Sequence, residues 1–99
     1  MGNIELYGLA KEYQMRGNLD MYLKTLQELV ARDRMFSPAQ LELGQFFLQT
    51  GNLIEAKQKL IDFLNAYQTG LTSTMVPWAQ QQIGEIDKKM APQGVPPQK

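Results

Sequence analysis

The chain has 99 residues, ten basic and ten acidic side chains, a formal net charge of zero, and neither cysteine nor histidine. This length suits one small domain, and the interspersed charges give no electrostatic basis for binding nucleic acid or an anionic membrane. Without thiol or imidazole groups we expect no enzyme, no cofactor and no metal site. No apolar run reaches the roughly 18 residues of a membrane span. The compartment stays unknown, with the cytoplasm slightly favoured over the periplasm.

The first two predicted helices form a pair that turns at Gly17. Apolar side chains recur over residues 4–16 at the spacing of one helix face. Asn3 is the expected N-cap of this helix, and Gly17 is the expected stop in the left-handed conformation. A second helix follows and ends near Arg32. Its apolar stripe consists of Leu19, Tyr22, Leu23, Leu26, Leu29 and Val30.

The third and fourth predicted helices form a second pair that turns at Gly51. The sequence Ser37-Pro38-Ala39-Gln40 is typical of a capping box, with Pro38 at the first helical position. This third helix ends at Gly51, and a fourth follows directly. The apolar stripe of the fourth helix consists of Leu53, Ala56, Leu60, Phe63, Leu64 and Tyr67.

A fifth helix follows a short connection. Ser73 or Thr74 is the expected cap, and Pro77 has to lie in the first turn because it cannot donate a backbone hydrogen bond. The apolar stripe of this helix consists of Met75, Ala79, Ile83, Ile86 and Met90. Residues 3–90 are therefore predicted to form a single domain, and residues 91–99 a flexible tail rich in proline and glycine. No stretch alternates with period two, so we expect no sheet.

A shift of 34 residues places the first helix pair on the second. Gly17-Asn18-Leu19 then falls on Gly51-Asn52-Leu53, and the two expected caps Asn3 and Ser37 coincide. Further matches are Leu9 with Leu43, Ala10 with Gly44, Tyr13 with Phe47, Leu26 with Leu60, Leu29 with Phe63 and Val30 with Leu64. The chain therefore contains a helix–turn–helix unit that recurs at a fixed period.

The second unit resembles a tetratricopeptide repeat. Its pattern is Leu43-Gly44-x-x-Phe47-x-x-x-Gly51-x-x-x-Glu55-Ala56, followed by Leu60 and Phe63. Small residues at Gly44 and Ala56 would let two antiparallel helices approach closely. In the first unit Ala10 replaces the glycine, and Tyr22 occupies the place of Ala56. The resemblance implies an all-α fold of antiparallel helix–turn–helix repeats. This would be a tetratricopeptide-like α-solenoid of about five helices, with two repeats and a C-terminal capping helix.

The resemblance also implies a protein–protein interaction module, such as an adaptor, a scaffold or an assembly chaperone. In this family the first helix of each pair lines a concave groove. The positions carried over are Tyr7, Lys11 and Gln14 from the first unit and Leu41, Gln45 and Leu48 from the second. Since only one of these six is basic, we expect no clamp for a peptide carboxylate. An amphipathic helix or an extended apolar peptide would suit this surface better.

Several of these assignments have an alternative. Leu41 and Leu48 could belong to the core, and Trp78 could be either a core residue or an interface anchor. The protein could also be a helical bundle that holds an apolar small molecule. A third possibility is a structural homo-oligomer in which the fifth helix pairs with its copy through Met75, Trp78 and Ile83.

Overall fold

The computed structural model describes residues 1–66 and 72–91, which form five α-helices and no strand. The helices are α1 Asn3–Met15, α2 Leu19–Arg32, α3 Ser37–Gln49, α4 Leu53–Ala66 and α5 Val76–Met90. Each helix contacts the next one along the chain, and the closest pairs are α1 with α2 and α3 with α4. The predicted all-α class and the five helices are confirmed. Tyr67 and the predicted tail from residue 92 onward lie outside the described residues.

The two helix pairs match each other in length and in the geometry of their turns. Helices α1 and α3 have 13 residues each, and α2 and α4 have 14 each. Gly17 and Gly51 adopt φ angles of +77° and +80°, a conformation that costs glycine little and other residues much more. The asparagine after each glycine donates its N–H to the carbonyl five residues earlier, at 2.9 Å in both turns. The period of 34 residues is thus present in the backbone as well as in the sequence.

The core lies between the helices and receives side chains from all five. Its large, fully buried apolar side chains are Leu26, Leu29, Leu43, Leu60, Phe63 and Ile86. Helix α1 contributes Ala10, and α5 closes the core with Ala79 and Ile86. Where α3 crosses α4, a Cβ on Gly44 would lie 2.7 Å from Leu60 Cδ2, so only glycine fits without movement. The predicted close approach of these helices is confirmed.

The predicted start of α1 is wrong by one residue. Gly2 precedes the helix, and its N–H donates to Glu5 Oε1 at 2.8 Å. Asn3 lies inside the helix, where its Nδ2 donates to Asp33 Oδ2 at 2.8 Å. Because Asp33 follows the last residue of α2, the Asn3 side chain joins the start of α1 to the end of α2 and does not act as a cap.

The capping box predicted at Ser37 is absent because α3 begins one residue earlier than expected. Ser37 is the first helical residue and Pro38 is the second. The Ser37 hydroxyl is hydrogen-bonded to the Thr72 hydroxyl at 3.1 Å, and Gln40 Nε2 donates to the Arg34 carbonyl at 3.1 Å. Both polar side chains therefore connect α3 to segments outside the helix.

Helix α5 begins differently from the prediction. Ser73–Met75 form a short 3₁₀ turn, and neither Ser73 nor Thr74 caps α5 with its side chain. Pro77 lies in the first turn of α5, as predicted.

Two apolar stripe positions are wrong, since Leu19 is 51% exposed and Met90 is 45% exposed. Each is a terminal residue of its helix, Leu19 the first of α2 and Met90 the last of α5.

Candidate functional site

A single carboxylate in α3 binds side chains from the first two helices. Only 12% of the Glu42 side chain is exposed. Tyr22 Oη donates to its Oε1 at 2.5 Å, and Tyr7 Oη donates to its Oε2 at 3.1 Å. Lys11 Nζ donates to both oxygens, at 3.0 and 3.2 Å. We call these four residues the Glu42 network, and they join α1, α2 and α3 through one side chain.

Burial and the charge of Glu42 extend the pH range over which both tyrosines stay protonated. Burial, together with the neighbouring carboxylate, raises the pKa of Tyr7 to about 12. Burial and the hydrogen bond to Glu42 raise the pKa of Tyr22 further above its ordinary value. Both hydroxyls therefore remain donors, while the ammonium group of Lys11 supplies the opposite charge. Both tyrosine hydroxyls donate to the carboxylate, and Lys11 gives two of its three N–H donors to it.

Phenylalanine rings hold the two tyrosines in place. The rings of Tyr7 and Phe36 pack edge to face with centroids 5.8 Å apart. The rings of Tyr22 and Phe46 pack in the same way at 6.1 Å. Such edge contacts fix the direction of each ring and therefore of its hydroxyl. The bulk of Tyr22, which stands where the second unit has Ala56, thus extends toward α3.

A cleft of about 120 Å³ lies beside the network, between α1, the start of α2 and α3. Gln14, Gln45 and Gln49 line it, and their side-chain amides form no hydrogen bond with any described residue. We call this the glutamine cleft. Its other lining residues are Lys11, Leu19, Tyr22, Glu42 and Phe46. The exposed Leu19 and the half-buried Phe46 give the cleft an apolar part beside the amides.

Three of the predicted groove residues meet at this cleft. Lys11, Gln14 and Gln45 line it, so the register of 34 residues does bring residues from α1 and α3 together. Tyr7 does not line it, and its hydroxyl donates to Glu42. Lys11 is also engaged by Glu42, which leaves the glutamines as the free polar groups.

The other predicted site residues pack on the core. Leu41 is 7% exposed and belongs to the core cluster. Leu48 and Trp78 are half-buried and pack against the same cluster. Met75 and Ile83, which the homo-oligomer hypothesis requires at a surface, also pack there.

Sequence reasoning missed the central residue of this site. Glu42 was assigned no role, although it is the single charged residue of α3. A single charged residue in an otherwise uncharged helix can indicate a buried polar contact, because a charged side chain is buried only where other side chains pair with it. Leu19 and Gln49 were missed as lining residues because their exposure at helix ends depends on how neighbouring helices cover them.

The described part of the chain shows no metal centre, since it contains no group of three or more acidic side chains that could hold an ion. No described helix combines the length and apolar character needed to cross a bilayer. Comparison with protein-family models, curated proteins and solved structures gave no match in any of the three. Fold and site together define an all-α protein of two matched helical hairpins and a fifth helix, with a polar cleft beside a buried carboxylate.

Proposed function

We propose that this chain is a protein–protein interaction module of the tetratricopeptide-repeat type, which binds a peptide or helix of a partner protein at the glutamine cleft. The observation that carries the proposal is the convergence of three unpaired amides beside an exposed leucine. Each glutamine side chain offers both a donor and an acceptor, which are the groups that a peptide main chain needs. Leu19 and Phe46 can receive an apolar side chain of the same partner.

The Glu42 network makes this cleft suitable for an uncharged segment. Lys11 and Glu42 line the cleft but neutralise each other at 3.0 Å. No other charged side chain lines it. A partner therefore gains little from a formal charge here and more from amide hydrogen bonds and apolar contact. This argument favours recognition of main chain and apolar side chains over recognition of an ion.

The matched hairpins support the comparison with tetratricopeptide repeats. Two hairpins at a period of 34 residues, closed by α5, would form a short adaptor, scaffold or assembly chaperone. The apolar small-molecule alternative is less favoured, because the glutamine cleft and two further clefts beside Gln40 all have charged side chains in their linings. We infer no catalytic step, since the donors of the Glu42 network are engaged with its carboxylate.

Substitution of the free amides tests the proposal. The triple variant Gln14→Ala, Gln45→Ala and Gln49→Ala keeps the Glu42 network intact. The matched control is Gln80→Ala with Gln81→Ala, two exposed glutamines on α5. Each protein is immobilised and used to capture partners from a lysate of its native source, and bound proteins are quantified by mass spectrometry.

We expect at least one protein that wild type and control capture equally and that the triple variant captures about tenfold less. The melting temperature of the triple variant should stay within a few degrees of wild type, because Gln14 and Gln49 are exposed, Gln45 is half-buried, and none of the three amides is hydrogen-bonded to a described residue. Capture of the same proteins by all three samples, or of none by wild type, would show that the cleft is not the binding site.

A further inference from the structure

Two clefts lie on opposite sides of the contact between α2 and α3, where the two hairpins meet. One is the glutamine cleft of about 120 Å³. The other, of about 390 Å³, lies between α2 and α4, and we call it the α2–α4 groove. Gln45 and Gln49 line the first and Gln40 and Phe47 the second, and at about 100° per residue these pairs lie on roughly opposite sides of α3. Since both hairpins form the walls of each cleft, the angle between the hairpins sets both widths.

Hydrogen bonds between side chains of the two hairpins occur on one side only. On the side of the glutamine cleft, the Glu42 network joins α1 and α2 to α3 at 2.5 to 3.2 Å. On the other side, α2 and α4 do not pack closely. The described side chains of α2 that line the groove form no hydrogen bond or ion pair with those of α4, where Lys59 pairs with Asp62 of its own helix at 3.7 Å. No polar contact therefore fixes the distance between α2 and α4.

The glutamine cleft has to widen before it can receive the partner proposed above. Ligand pockets usually have volumes of about 300–1,000 Å³, whereas this cleft has about 120 Å³. A partner side chain placed beside Leu19 and Phe46 would therefore push α1 away from α3. Because each hairpin is closely packed within itself, the hairpins move as units. The same rotation brings α2 toward α4, where the α2–α4 groove has room for the movement.

We infer that the two hairpins rotate about the α2–α3 contact when a partner binds, so that the glutamine cleft widens as the α2–α4 groove narrows. The inference rests on the proposed function for its ligand, but the rotation can be measured without one. Tyr7 and Lys11 oppose it, because their bonds to Glu42 hold α1 against α3. Removal of these bonds shifts unbound molecules toward the wider cleft.

The first test measures the rotation in the unbound protein. The chain contains no cysteine, so spin labels can be attached at two introduced cysteines. Lys24→Cys and Gln58→Cys change exposed positions of α2 and α4 that are equivalent in the repeat of 34 residues. The control pair, Met15→Cys with Lys24→Cys, lies within the first hairpin. Double electron–electron resonance measures both distances in the wild-type background and in a background with Tyr7→Phe and Lys11→Met.

We expect the distance between labels at positions 24 and 58 to shorten by about 2–3 Å in the Tyr7→Phe and Lys11→Met background. That shift corresponds to a rotation of about 15° acting over the 8–10 Å between helix axes. The distance between positions 15 and 24 should not change. An unchanged distance between positions 24 and 58, or an equal change in the control pair, would overturn the inference. If circular dichroism shows that the double substitution unfolds helix, Lys11→Met alone decides the same question.

The second test asks whether binding requires the rotation. Ala31 is exposed and lines the α2–α4 groove, so Ala31→Trp places a large side chain where α2 would approach α4. Gln81→Trp, at an exposed position of α5, is the matched control. Both variants enter the lysate capture described above. Proteins whose capture depends on the free glutamines should be captured about tenfold less by Ala31→Trp and undiminished by Gln81→Trp.

The outcomes separate the inference from the proposed function. Undiminished capture of these proteins by Ala31→Trp would show that binding does not need the α2–α4 groove to narrow, and it would overturn the inference alone. If no captured protein depends on the free glutamines, the proposed function is contradicted, and the spin-label distances still decide whether the hairpins rotate.

Discussion

Among single residues, the side chains that donate hydrogen bonds to Glu42 differ in how much each stabilises the folded protein. Tyr22 is 2% exposed, so Tyr22→Phe leaves a buried carboxylate with one donor fewer. We expect this substitution to lower the free energy of unfolding by about 1.5–3 kcal/mol. The Lys11 side chain is 39% exposed, and water screens its ion pair, so Lys11→Met should cost less than about 1 kcal/mol. Urea denaturation measures both losses. Equal losses would contradict this, because they would mean that the exposed ion pair contributes as much as the buried tyrosine hydroxyl.

The tyrosines also make stability depend on alkaline pH. The pKa of Tyr7 is about 12 in the folded chain and near 10 in the unfolded chain, since burial disfavours the phenolate. A pKa raised by folding gives stability that is complete below about pH 10 and is lost as the pH rises toward 12. Wild type should therefore lose stability over this interval more steeply than Tyr7→Phe.

Urea midpoints measured at about pH 9 and pH 11.5 check this difference between the two proteins. Because every other titrating group is common to both, their difference isolates Tyr7. Parallel losses in wild type and Tyr7→Phe would contradict the buried position of its hydroxyl.

At the residue scale the sequence predicted part of the site. Lys11, Gln14 and Gln45 were placed together correctly by the register of the repeat. Glu42 was missed because a helix period cannot distinguish an exposed carboxylate from one that faces tyrosines of two other helices. That distinction depends on contacts between residues 20 to 35 positions apart in the chain.

Among the helices, the close crossing of α3 and α4 depends on the absence of a side chain at Gly44. Gly44→Ala would place a Cβ 2.7 Å from Leu60 Cδ2 and 3.0 Å from its Cγ, and Leu60 is fully buried with little freedom to move. We expect a loss of about 1–3 kcal/mol from this overpacking.

Gly84→Ala is the matched control in α5, because a Cβ there meets nothing within 4 Å. Alanine has the higher helix propensity, so this change should stabilise the protein by about 0.5–1 kcal/mol. Thermal and urea unfolding of both variants measure the contrast. A stabilising Gly44→Ala would show that α3 and α4 lie further apart than described.

Helix existence was predictable from the sequence, whereas helix starts were not. The apolar spacing and the two turn glycines act locally, and they located all five helices. Asn3 and Ser37 have the right chemistry for capping, but Asp33 and Thr72 compete for their side chains. Those partners come from other segments, so no local pattern could reveal the competition.

For the molecule as a whole, the account requires that the two hairpins and α5 form one cooperative unit. Helix α3 is shared, since it meets α2 and the Glu42 network on one side and α4 on another. Helix α5 is held to α4 by the core residues Ala79 and Ile86 and by the ion pair of Lys57 with Asp87 at 2.6 Å. No helix pair buries its apolar face alone. Loss of one contact between helices should therefore lower the stability of all five helices together.

The most direct test is urea unfolding followed by two probes in wild type and in Tyr22→Phe. Far-UV circular dichroism reports all helices, while fluorescence of Trp78, the single tryptophan, reports α5. The account predicts coincident transitions in each protein and the same downward shift of both midpoints in the variant, although Trp78 belongs to α5 and Tyr22 to α2. Two results would contradict it. One is a Trp78 fluorescence transition that separates from the circular dichroism transition. The other is a fluorescence midpoint that Tyr22→Phe leaves unchanged.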